Sequence, residues 1–113
     1  MQALHLMNDV QHVEAARALA QRILEEGGVS SGDRVRWAWR LATARYPTEE
    51  ETRIVLNALQ LHRKRYLEDA EAATALINFG DSEPDPGIVA GELAAWTLIA
   101  NLLLNLDEVV NKN

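Results

Sequence analysis

The chain has 113 residues, of which 48% are apolar and 25% charged, with a formal net charge of −6. That size and balance fit one soluble globular domain with a real core, and the acidic surplus argues against a general nucleic-acid binder. There is no cysteine, so disulfides, thiolate metal sites and cysteine nucleophiles are excluded.

Met1–Met7 is a short apolar lead-in without the basic start and long apolar run of a secretory signal. Asn8 or Asp9 offers an N-cap, and a helix follows from about Val10 to Glu26. Val13, Ala16, Ala20, Ile23 and Leu24 mark its buried side, and Glu14, Arg17, Gln21, Arg22 and Glu25 its wet side. Gly27-Gly28 ends it. A second helix starts near Ser30 or Ser31 and runs to about Arg45. Its seam is Val35, Trp39 and Ala42, widened by Ala38 and Leu41, with Trp37 off the seam.

Tyr46-Pro47 stops that helix, since a residue before proline is pushed out of the helical region. Thr48 with Glu51 is a capping box for the third helix, whose three opening glutamates suit the positive end of the helix dipole. Ile54, Val55, Ala58, Leu61 and the stem of Arg65 are expected to face inward. A fourth helix, roughly Asp69 to Asn78, either continues the third or begins after a bend near Tyr66–Glu68. Gly80 ends it, and GDSEPDPG (Gly80–Gly87) reads as a loop.

The last stretch, Gly87–Val110, is the most apolar in the chain. Val89, Leu93, Trp96, Ala100 and Leu103 recur at helical steps, with Ala95, Ile99, Leu102 and Leu106 on an adjacent face, as in a buried central helix. One polar strip survives at Thr97, Asn101, Asn105 and Glu108. Glu92, Asn101 and Asn105 interrupt it too often for a membrane span. Asp107 and Glu108 oppose the dipole, which implies an end near Leu104 or partners elsewhere, and the tail from Val109 is expected to fray. The expectation is a single all-α domain over residues 1–113, a compact bundle of about five helices around a buried C-terminal one.

Four features carry a family resemblance: ALHLMNDVQHVEAARALAQRIL (Ala3–Leu24), RLATARYPTEEE (Arg40–Glu51), GELAAWTLIANLLLNLDE (Gly91–Glu108), and Gly80 after an alanine-rich helix. The chain resembles the C-terminal part of the planctomycete domain of unknown function 1553. It departs from that pattern at Val10, where proline is common, and at Val109, where an aromatic is common. The resemblance implies the final helical segment of a larger exported protein, often associated with a c-type haem region. The haem-attachment signature C-x-x-C-H is not in this sequence. The resemblance supplies no catalytic residue.

Candidate chemistry is sparse. His5, Asp9 and His12 are zinc-ligand types gathered near the start of the first helix, but they form no recognised metal motif. Asn101, Asn105, Asp107 and Glu108 form the most distinctive polar group. Paired carboxylates can do acid–base work or hold a cation, but adjacent ones on a helix point apart, so this group reads as a structural anchor that meets an arginine or a helix start. His62, Arg63, Lys64 and Arg65 form a basic helix end, a candidate contact for an anion such as phosphate or acidic polysaccharide. Trp39 and Trp96 fit the core, leaving Trp37 for an exposed role. No catalytic, cofactor or metal site is assigned. The preferred reading is a non-catalytic structural or interaction module at the C-terminal end of a larger exported protein, partnered by the rest of that protein or by a second copy, with no nucleic acid and no membrane span. The alternative is a segment lending residues to an enzyme acting on complex polysaccharide or in a haem-linked redox system.

Overall fold

The structure is a computed structural model that describes residues 10–80 and 83–111, apart from the side chains of 10–12 and 107–111. Five helices and no strands are present among them: α1 Val10–Glu26, α2 Ser31–Thr43, α3 Glu49–Glu68, α4 Ala70–Ile77 and α5 Ala90–Asn111. The all-α expectation is met, and α5 touches each of the other four.

α1 spans the expected residues and stops as expected, with Gly27 N–H bonded to Ile23 O (2.9 Å) and Gly28 at φ 105°. Ser30 caps α2 by accepting from Asp33 N–H (3.1 Å). α2 ends at Thr43, two residues before the expected Arg45, because Ala44 turns left-handed (φ 67°) while its N–H closes on Arg40 O. Arg45, freed from the helix, pairs with Glu51 (2.9 Å). Glu51 also closes the predicted capping box, accepting from Thr48 N–H (2.9 Å) while its own N–H donates to Thr48 Oγ1 (3.0 Å). The Arg45–Glu51 pair at one end and the Ser31–Arg63 hydrogen bond at the other set α2 antiparallel to α3.

Asp69 resolves the junction left open by the sequence. Its backbone leaves the helical region (φ −137°, ψ 78°), its N–H closes α3 on Arg65 O, and its carboxylate opens α4 by accepting from Ala72 N–H. A short carboxylate can compete with helical backbone bonds in this way.

The core is centred on α5. Leu93, Ala94, Ala95, Trp96, Ile99, Ala100 and Leu103 are fully buried, joined by Ala20 and Ile23 of α1, Val35 and Ala38 of α2, and Leu59 of α3. Each large apolar side chain there contributes roughly 1.5–3 kcal/mol of burial. Gly91 sits against Tyr66, where a Cβ would meet Tyr66 Cβ at 3.7 Å.

Several expectations are corrected. α3 turns Val55, Leu59 and Tyr66 inward, leaving Ile54 (53% exposed) and Leu61 (69%) at the surface. The helix has two apolar stripes, and the one that packs lies about a third of a turn from the Ile54–Leu61 line. Leu41 and Val89 are exposed rather than in the seams: Leu41 flanks the Val35–Trp39 seam, and Val89 precedes the first residue of α5. α5 continues past Leu104 to Asn111, since a dipole penalty below about 1 kcal/mol does not outweigh continued helical hydrogen bonding. Val109–Asn111 form the last residues of α5. Among the described residues no helix is long and apolar enough to cross a membrane.

Candidate functional site

A part-buried polar cluster is built around Glu92 in the first turn of α5. Its carboxylate accepts from Arg63 Nε (3.1 Å to Oε2) and Arg63 Nη2 in a bidentate fork, and from Trp96 Nε1 (3.1 Å) one turn further on. Arg63 Nη2 also donates to Ser31 Oγ (3.1 Å) at the start of α2. Three helices thus meet at one carboxylate. Burial pushes the Glu92 carboxyl up, but the hydrogen bonds and charge of Arg63, the Trp96 N–H and the charge of Arg34 outweigh it, so the group is held below its ordinary value. A carboxylate held ionised and saturated with donors is a strut, whereas a general acid needs a raised pKa and a free edge.

Arg34 closes the α1–α2 turn, donating from Nε to Gly28 O (3.1 Å) and from Nη2 to Leu24 O (3.2 Å). Arg17 is the largest departure from expectation. It is not on the wet side of α1 but only 3% exposed, and its Nη1 donates to Ile77 O at the end of α4 and to Phe79 O (3.4 Å). Its position explains this, for Arg17 follows Val13 by four residues and precedes Ala20 by three, so it lies on the seam itself. The last carbonyls of α4 lack helical donors, and the guanidinium supplies them. Beside this contact Gly80 adopts φ 98°, and a Cβ there would press on the Glu14 carboxylate.

The predicted polar strip is not a wet face. Thr97 is buried and donates to Leu93 O (2.7 Å) within its own helix. Asn101 and Asn105 are half-buried, and among the described residues Asn105 Oδ1 is buried without a hydrogen-bond donor. Asp107 and Glu108 lie on α5, but their side chains fall outside the described residues, as do His5, Asp9 and the side chain of His12. The basic run His62–Arg65 is divided among different neighbours. His62 is half-buried, its pKa pushed down by burial and then by the charge of Arg65. Arg63 is committed to Glu92, Arg65 lies 5.9 Å from the Tyr66 ring centroid, and Lys64 and Arg65 are exposed. Trp39 and Trp96 are core as expected, while Trp37 is half-buried beneath the Arg22 guanidinium of α1 (5.4 Å to the ring centroid). Among the described residues no group of three or more His, Cys, Asp or Glu could share a metal ion. The Glu92–Arg63 pair had a readable signal, a carboxylate one turn before a tryptophan on the most apolar helix, but nothing local named Arg63 as its partner.

Comparison with protein families places residues 1–59 within the model for a protein of unknown function, DUF1553 (PSD1). That match spans more than half of the 113 residues. The chain belongs to the DUF1553 family. Of the stretches that carry the resemblance, Ala3–Leu24 and Arg40–Glu51 lie inside the DUF1553 match, and Gly91–Glu108, which supplies the central helix, lies beyond it. No curated protein and no solved structure matches the chain.

Proposed function

We propose that this DUF1553 segment is a non-catalytic structural module that closes the C-terminal end of a larger exported protein and packs against the rest of it. One observation carries the reading: buried and part-buried charges tie helix to helix. Arg17 joins α1 to the end of α4, Arg34 joins α2 to the end of α1, and Arg63 with Glu92 joins α2, α3 and α5. Such groups make packing specific. Apolar residues left outward on α3 and around it, Ile54, Leu61, Leu67 and Val89, suit cover by a neighbouring part of the parent. The exported setting rests on the family resemblance.

The test is association in trans. The remainder of the parent protein, expressed without this segment, is mixed with the isolated chain and followed by light scattering and limited proteolysis. The expected result is a complex in which the remainder becomes more protease-resistant. No complex and an unchanged digestion pattern would refute the reading, as would substrate turnover by the isolated chain.

A further inference from the structure

Most of the described arginines are already employed. Arg22, Arg45, Arg53 and Arg63 hold carboxylates, and Arg17 and Arg34 hold backbone carbonyls. Arg36 and Arg40, one turn apart on α2, form no ion pair with a described carboxylate, in a chain with 17 acidic residues against 11 basic ones. Instead both lie over one exposed ring: the guanidinium carbons are 4.8 Å (Arg36) and 5.6 Å (Arg40) from the Tyr46 centroid. A guanidinium held over a ring can still present its N–H edge to a carboxylate in bidentate fashion, and neither Arg36 nor Arg40 forms an ion pair with a described carboxylate.

The stack borders two grooves with largely apolar linings. Arg36 edges one of about 480 Å³ that includes Pro47, Thr52 and Leu56. Arg40 and Tyr46 edge the other, with Trp37 and Leu41. Glu49 lines the first and Asp33 the second, so each groove also carries a carboxylate.

We infer that the Arg36–Arg40–Tyr46 stack is a docking site for an acidic peptide segment of a partner protein, its carboxylates across the two guanidinium edges and its aliphatic side chains in the flanking grooves. The alternation of cationic rib and apolar groove matches a peptide, whereas a phosphate or charged glycan has no group for Leu56, Pro47 or Leu41. The net charge of −6 repels an extended polyanion, while a short segment meets chiefly the charges within a Debye length of about 8 Å. The inference goes beyond the closing role and does not depend on it.

The probe is a short fluorescent peptide of alternating glutamate and leucine, with a glutamine–leucine counterpart, titrated into the chain by anisotropy at two salt concentrations. The expected result is binding of the glutamate peptide alone, weakened about tenfold by Arg36→Gln and again by Arg40→Gln, the loss that follows removal of one charged hydrogen bond. Arg65→Gln, an exposed arginine on another helix, should leave binding unchanged. All three substitutions are at the surface, and circular dichroism melts verify that the variants fold. The inference is overturned by no binding, by equal binding of the glutamine peptide, by an equal loss in Arg65→Gln, or by inorganic phosphate or heparin displacing the peptide in direct competition for Arg36 and Arg40 with tighter affinity.

Discussion

Replacing Arg17 by methionine keeps most of the side chain's length and apolar contact while deleting the guanidinium. The Ile77 carbonyl, buried at the end of α4, then loses a donor that lies 60 residues earlier in the chain. A hydrogen bond from a charged donor contributes about 1.5–3 kcal/mol net. Against this, the variant avoids desolvating a charge and gains some burial, so the net loss is about 1–2 kcal/mol. For a domain of this size that lowers the melting temperature by roughly 4–10 °C. Arg22→Met is the matched control, since Arg22 is exposed and pairs with Glu26 one turn on, a contact that solvent screens and that adds little to stability. Urea titrations followed by circular dichroism give both values, with the slope m expected to stay constant. If Arg17→Met were no more destabilising than Arg22→Met, the claim that Arg17 anchors α4 would be wrong.

Three further outcomes follow from the same geometry. Glu92→Gln should cost about 1.5–3 kcal/mol, and a double-mutant cycle with Arg63→Gln should show clear coupling; additive losses would mean the fork contributes nothing. Ala44→Gly should stabilise by up to about 1 kcal/mol because its φ of 67° is strained for alanine, whereas Gly80→Ala, at φ 98°, should destabilise by about 1–2 kcal/mol; equal melting temperatures for the two variants would contradict the assigned backbone. Stability should fall on acidification. Arg45, then the Thr48 N–H, holds the Glu51 carboxyl down to about 2, Glu92 is also lowered, and burial lowers His62. In each case the folded state binds the proton less tightly than the unfolded chain, so the contribution is full above the unfolded pKa and lost as pH falls through the folded one. The decline should begin below pH ~6.5 with His62 and steepen below ~4.3 with the two glutamates. His62→Gln should remove the upper part; an unchanged profile in that variant would exclude His62 as its source.

Much of the architecture was legible because local signals agreed with one another. α1 carries one apolar stripe between an asparagine–aspartate start and a glycine pair, and its bounds follow. The Thr48–Glu51 box fixes the start of α3 without tertiary help. The rotation of α3 was not legible, since Ile54–Leu61 and Val55–Leu59 are both apolar lines at helical spacing and the choice is made by what α5 and α2 present. Arg17 reads as a surface residue by its charge, but its spacing from Val13 and Ala20 sets it on the seam; only its partner, a carbonyl beyond the next two helices, lies outside local reading. The Glu92–Arg63 fork is not legible for a similar reason, since 29 residues separate the carboxylate from its cation.

Asp69 joins α3 and α4 with no slack. Its N–H completes the last turn of α3 on Arg65 O, and its carbonyl accepts from Ala73 N–H (3.4 Å) to begin α4. The angular phase of α4 is therefore inherited from α3 residue by residue. One inserted residue would swing α4 by about 100° about its axis. Ala73 and Ile77 would leave the central helix, and the Ile77 carbonyl would turn away from Arg17. This junction can exchange one side chain for another, but it cannot change length.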